Sequence, residues 1–316
     1  PMLYWSTTMY SFDFTRINQL PLMRGVIKSQ PKDFYVEELM DVSLTGEGEH
    51  LYLFLEKEGQ NTEYVAKQLA KYFSVKPMDV GFTGLKDRWA VTRQWFSIYV
   101  RNRQFDELDL SSIEGVRLVR HDRHAAKLRR GRHQGNAFRI VVRDVSDLSE
   151  LDAVLTQIKE KGFPNYFGAQ RFGRDGQNLL RAERWFNGEI KVNRSQRSFY
   201  LSAARSYLFN VMLSERIQGG KSIDDNGPLY GDAVQGLAPL TESEQAFFER
   251  FPSLVSGLHK NRMTLARRPY KMQPKDFNWE IKQQVLTLSF KLEPGAFATS
   301  LLAELFDVTD ASNAAP

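Results

Sequence analysis

A chain of 316 residues exceeds the ~250–300 at which single hydrophobic cores stop growing, so two domains are expected. Hydrophobic content of 42% against 26% charged residues is a soluble globular balance, and no apolar run approaches the roughly 18 residues of a membrane span. With no cysteine the chain has no disulfide, thiolate zinc site or Cys nucleophile, and its first 23 residues lack the basic start and apolar block of a secretory signal, so a reducing cytoplasm is expected.

Residues 24–40 are predicted as two short strands broken at Pro31, with Phe34 and Val36 alternating against Lys32, Asp33 and Glu37. GEGEH (46–50) turns into HLYLFLEKEG, where Leu51, Leu53 and Leu55 alternate with Tyr52, Phe54 and Glu56; a run apolar on both faces predicts a central strand. Asn61 then caps a helix with Val65, Leu69 and Tyr72 on one face, ending before Pro77. A loop over 80–86 leads into the strand QWFSIYV, which puts the adjacent Lys86 and Asp87 where a loop enters a sheet. VRLVR (116–120) and FRIVVRDV (138–145) are predicted strands, and Asp147 is expected to cap a helix with Leu148, Leu151, Leu155 and Ile158 inward. FPNYFGAQRFGRDG is a loop rich in Gly, aromatics and Arg; helical patterns follow to about Ile217, and TESE (241–244) opens another helix as a capping box. Strand character returns at VLTLSFKL (285–292), PGAFATSLLAELF reads as loop then helix, and DVTDASNAAP reads as a loose tail. This order suggests one domain interrupted by another.

The net charge is +5, and much of it falls in RLVRHDRHAAKLRRGR, where Arg117, Arg120, Arg123, Lys127, Arg129, Arg130 and Arg132 face Asp122 alone. Such a segment suits a polyanion, phosphates above all, or is an ordinary charged surface. His121, His124 and His133 lie in the same basic stretch, but cationic neighbours repel a metal and no carboxylate or thiolate completes a ligand set. The sequence contains no phosphate loop, dinucleotide fingerprint, HExxH or EF-hand.

Asp87 stands among Lys86, Arg88 and Arg93, with Gly81 and Gly84 leaving room for a backbone or ligand to approach. Nearby cations keep a carboxylate ionised, which makes it a nucleophile or base and a poor proton donor. Paired acid–base work would need a second, protonated carboxyl; Glu37 and Glu38 are the candidates, and they point to opposite strand faces. Phe34, Phe138, Tyr166, Phe167, Phe172 and Phe297 cluster at loops beside basic residues, as a slot for an extruded nucleobase would require, and Asn136 carries a donor and an acceptor that fit a pyrimidine edge or close a turn.

Together GLKDRWAVTRQ (84–94), PKDFYVEE (31–38), RHQGNAF (132–138), NYFGAQRFG (165–173), SFYLSAARSYLFN (198–210) and PGAFATSLLAELF (294–306) resemble the TruD family of tRNA pseudouridine synthases over nearly the whole chain. The resemblance implies a cofactor-independent isomerase that converts uridine at position 13 of tRNA to pseudouridine. It implies a catalytic domain on a mixed, mainly antiparallel sheet flanked by helices, residues 1–161 and 272–316, interrupted by an inserted α+β domain, residues 162–271. On the matching positions Asp87 is the nucleophile, Phe34, Asn136 and Phe297 line the uridine site and Phe138 stacks on the base; Lys28, upstream of PKDF, is the candidate basic partner of Asp87. Arg129, Arg130, Arg132 and Arg171 are expected on the RNA backbone. The partner is then tRNA, with no metal or membrane required and a monomer as the default. Attack at ribose C1′, attack at base C6 and removal of the 2′-proton all remain open to Asp87. So do two other classes, a non-catalytic RNA-binding module and a metal-dependent nuclease using Asp87 with Glu37 or Glu38.

Overall fold

The alternation between residues 23 and 142 is realised as strands β1 (Met23–Ile27), β2 (Phe34–Leu39), β3 (His50–Glu58), β4 (Val80–Phe82), β5 (Val91–Tyr99), β6 (Val116–His124) and β7 (Gly135–Val142), with helix α1 (Thr62–Tyr72) after β3. The molecule is a computed structural model that describes residues 10–41 and 43–314. Helix α2 (Leu151–Lys161) follows, and three strands come later in the chain: β8 (Lys275–Lys282), β9 (Val285–Leu292) and β10 (Phe306–Asp310). The chain divides into two compact units. The first comprises residues 21–160, 273–295 and 305–314; the second comprises residues 10–20, 161–272 and 296–304.

In the first unit eight strands form one sheet in the order β8-β9-β7-β2-β5-β3-β6, with β4 added on β5; only β2 and β5 run parallel. The fold is therefore α+β on a mixed, mainly antiparallel sheet. β3 is an interior strand, and both its faces are covered. Leu51, Leu53 and Leu55 pack with Val65 and Leu69 of α1, while Tyr52 and Phe54 pack with Trp95 and Leu128 on the other side. The Asn61 side chain accepts from Tyr64 N at 2.7 Å, which caps α1. Tyr72, expected inward, is exposed, because the following Phe73 fills that place in the core.

Several expectations are corrected. Residues 80–82 belong to strand β4 rather than to a loop, and the basic stretch from Arg117 to His124 is edge strand β6. Asp147 accepts from Ser149 N at 2.9 Å in a local turn, and α2 begins only at Leu151. Residues 307–310 are no loose tail: they lie in β10, parallel to β1 with Met23 opposite Phe306 and Ile27 opposite Asp310. Ala315 and Pro316, the end of that stretch, lie outside the described residues, as do residues 1–9 of the segment read for a secretory signal.

Gly81 in β4 and Gly84 in the loop after it prove unlike. A Cβ on Gly81 would sit 2.3 Å from the Leu128 carbonyl oxygen and 2.7 Å from Ser97 Oγ, whereas one on Gly84 would meet nothing closer than 3.9 Å. Gly81→Ala is accordingly expected to cost about 2–3 kcal/mol and Gly84→Ala less than about 0.5 kcal/mol. Urea unfolding measures both, and equal midpoints would contradict this packing.

The second unit is helical: α3 (Gln177–Phe186), α4 (Arg194–Gln218), α5 (Glu242–Phe248), α6 (Pro252–Lys260) and α7 (Ala298–Leu302), with short strand pairs joining 163–164 to 271–272 and 226–229 to 266–269. Its core gathers Leu179, Ala182, Tyr200, Leu201, Ala204, Leu208 and Leu254. Residues 10–20 pack here, with Phe12 against Phe172 and Phe14 stacked on Tyr166. Glu304 is buried and accepts from Ile17 N and Asn18 N, both at 3.1 Å; burial nevertheless holds its carboxyl above the usual value.

Candidate active site

A polar patch inside the sheet fixes the loop that carries Asp87. Strand register places Lys57 opposite Thr92, and Thr92 beside Val36, so Lys57, Thr92, Gln94 and Glu38 share one face; all four are buried. Each buried polar side chain needs a partner, and the loop supplies several. Gln94 Nε2 donates to the Gly84 carbonyl at 3.1 Å, and Thr62 Oγ1, at the start of α1, donates to Gln94 Oε1 and accepts from Lys86 N, both at 2.9 Å. Glu38 accepts from Thr83 Oγ1 and from Trp95 N, and pairs with Lys86 Nζ at 3.3 Å. Lys57 Nζ donates to the carbonyls of Gln60, at 2.7 Å, and Asp87, at 2.9 Å.

These bonds leave the Asp87 carboxylate facing Lys28. Oδ1 accepts from Trp89 N at 3.0 Å, and Oδ2 lies 2.5 Å from Lys28 Nζ. Lys28 is buried at the end of β1 in a left-handed conformation, φ 55°, and its carbonyl accepts from Trp89 Nε1 at 2.9 Å. Its ammonium sits 5.0 Å from the Phe34 ring centroid and 3.4 Å from Asp310 Oδ2. The Asp87 side chain keeps 28% exposure and so stays accessible. The cations adjacent in sequence are directed elsewhere: Lys86 to Glu38, Arg88 to the Gly59 carbonyl, and Arg93 to Glu56 and Glu37. This corrects the reading of what surrounds Asp87.

Lys57 was missed. Burial pushes its ammonium down to about 8, with the Asp87 charge opposing and the Lys86 charge assisting. The signal was available: Lys57 is the fourth member of the inward series Leu51, Leu53, Leu55, Lys57, and a lysine in such a place must find acceptors.

The same face carries the aromatic and amide candidates. Val36 pairs with Phe138, Glu38 with Asn136 and Phe34 with Ile140. Phe138 stacks on Phe290 at 5.3 Å and meets Phe34 edge-on at 6.4 Å. Asn136 Oδ1 is buried without a hydrogen-bond partner, and so is His133 Nδ1. An orphan acceptor of this kind costs about 1–3 kcal/mol until a donor arrives, and a ring N–H of a bound base would be one.

Residues 14–180 match the family model described as tRNA pseudouridine synthase D (TruD). The chain belongs to the TruD family. It is 39% identical to the tRNA pseudouridine synthase D of Mannheimia succiniciproducens, over 93% of this chain and 98% of that one, and 38% identical to that of Vibrio parahaemolyticus, over 90% and 93%. A TruD crystal structure from Methanosarcina mazei shares the fold at a TM-score of 0.68 and 18% identity, covering 93% of this chain and 96% of that chain.

Of the positions matching the TruD motifs, Lys28, Phe34, Asp87, Asn136 and Phe138 lie in the sheet unit, and Phe297 and Arg171 lie in the helical unit. There Arg171 lies 5.4 Å from the Phe167 ring centroid and 5.8 Å from that of Phe297, and donates to Ser202 Oγ at 2.7 Å. The basic segment splits in two. Arg117 pairs with Glu56, Arg120 covers Trp95 at 4.9 Å, and Arg123 donates to the carbonyls of Gly48, Arg101 and Arg103. Arg129, Arg130 and Arg132 are exposed, with Arg130 also lying over the Phe82 ring at 4.3 Å. Among the described residues no cluster of three or more His, Asp or Glu could hold a metal ion, and no helix is long and apolar enough to cross a membrane.

Proposed function

We propose that this chain isomerises uridine to pseudouridine at position 13 of tRNA, with Asp87 as the nucleophile on a uridine turned out of its helix. The observation that carries the reading is one carboxylate, positioned through its backbone by buried Lys57 and through Oδ2 by buried Lys28, beside Phe34. The reaction breaks the bond between N1 and C1′, turns the uracil and joins C5 to C1′; the proton on C5 leaves and N1 ends protonated. No redox step occurs, so no cofactor is needed. Asp87 acts at C1′, at C6 or on the 2′-proton, and Lys28 keeps its negative charge available. The orphan Asn136 oxygen suits the N3–H of the uracil, and Phe34 and Phe138 offer apolar surface that replaces lost stacking. Confinement then keeps the detached base beside its own ribose, which makes recombination intramolecular.

The proposed roles of Phe297 at the uridine and of Arg129, Arg130, Arg132 and Arg171 on the backbone rest on the family resemblance and on charge. So does the assignment of residues 162–271 as the inserted domain. A cysteine-free chain suits a reducing cytoplasm, and the chemistry needs no second copy.

Incubation with tRNA in EDTA tests the activity. Intact RNA with pseudouridine mapped to position 13 is expected; cleaved RNA would favour the nuclease reading, and bound but unchanged RNA the non-catalytic one. Phe34→Ala is expected to lower kcat/KM by about 10- to 100-fold while tRNA affinity changes less than about threefold, since it removes stacking surface and no phosphate contact. Equal weakening on an RNA lacking the target uridine would argue against a base-binding role.

A further inference from the structure

The helical unit holds a cavity of about 320 Å³ beside α4, lined by Ser198, Ser202, Ser206, Arg205 and Phe167 among others. The serines recur every four residues and so form one stripe along the helix, from exposed Ser198 to buried Ser206. Arg205 reaches across with Nη2 donating to the carbonyls of Leu229 and Thr264, and its Nε is buried without a partner. Arg171 borders the same stripe through its bond to Ser202 Oγ. Burial alone pushes both guanidinium groups below their ordinary value, and no carboxylate pairs with either among the described residues. The sequence leading into and along α4 agrees: Asp and Glu are absent from 190 to 214, while Lys191, Arg194, Arg197 and Arg205 are present. Phe199, beside Ser198, is 60% exposed.

We propose that this cavity binds a phosphodiester of the tRNA backbone, with Arg205 supplying charge and its unpartnered Nε–H, and the hydroxyls of Ser198 and Ser202 supplying neutral donors. The inference rests on the tRNA-modifying reading and extends it to a contact away from the reacting nucleotide. Half-buried cations with no paired carboxylate favour an anion, and a serine-lined wall suits the non-bridging oxygens. Phe167 within the cavity and Phe199 near its mouth offer apolar surface to an adjoining base or sugar.

Equilibrium binding of the full chain to tRNA, measured from about 50 to 300 mM KCl, tests this. Arg205→Gln removes the charge and places an amide only where Nε stands, leaving the carbonyls of Leu229 and Thr264 to water. It is expected to raise Kd about tenfold at roughly 100 mM salt and to flatten the slope of log K against log[KCl] by about 0.7–0.9, one phosphate contact. Ser198→Asp changes an exposed side chain in the first turns of α4, where an acid is tolerated, and is expected to do the same; it decides the matter should Arg205→Gln lower the melting temperature strongly. Slopes equal to the wild type in both variants would overturn the site. So would stabilisation of the wild type by inorganic phosphate that Arg205→Gln abolishes while the tRNA slope stays unchanged, because the cavity would then serve a free anion. Failure of the isomerase reading would appear separately, as missing pseudouridine with the slope difference intact.

Discussion

Asp87→Asn is expected to abolish pseudouridine formation, by at least about 10⁴-fold in single turnover, while tRNA affinity stays within about twofold. The substitution is nearly isosteric. Its carbonyl oxygen can still accept from Trp89 N, the main-chain oxygen can still accept from Lys57, and Asp310 remains to balance Lys28. The loop should therefore keep its place, and what is lost is the anionic oxygen. A melting temperature close to the wild type would separate loss of chemistry from loss of structure. Product formed within about tenfold of the wild-type rate, with folding intact, would remove Asp87 from the role of nucleophile and leave it a turn residue that shapes the loop.

Local rules made much of the fold legible. Apolar alternation marked β3, the Asn61 cap marked α1, and the break at Pro31 separated β1 from β2. Residues whose partners lie far along the chain were harder to read. Asp310 belongs to a terminal stretch of polar and small residues that resembles a tail, and its place beside Lys28 depends on parallel pairing across almost the whole sequence. Lys86, Arg88 and Arg93 illustrate the reverse error, since adjacency in a loop says little about side-chain direction and each of them found another acceptor. Glu38 looked like half of an acid–base pair because it is a carboxylate near Asp87 in kind; the register instead buries it under Thr83 and Lys86, where it holds the loop. Asn136 was visible as a residue type, but only the strand register reveals that its oxygen lacks a partner. The buried polar face explains how the loop can present one carboxylate in a fixed direction.

Lys28→Met should have the second largest effect, and it separates the charge from the shape of the site. Met is unbranched, so it tolerates the left-handed backbone about as well as lysine and fills much the same volume. It leaves the carboxylates of Asp87 and Asp310, which had held one ammonium between them, without that cation. Breaking a fully buried pair costs about 3–5 kcal/mol; both acids here keep about a quarter of their exposure, so roughly 2 kcal/mol is the better expectation. Urea melts would reveal this, and Asp310→Asn in the Lys28→Met background should recover stability, because it removes one of the two carboxylates that had shared the ammonium. Turnover is expected to fall on the order of 10²-fold, because the cation that holds Asp87 Oδ2 in place is gone. A wild-type rate would mean that Lys28 is a structural plug under Phe34, and that the reactivity of Asp87 owes nothing to its nearest cation.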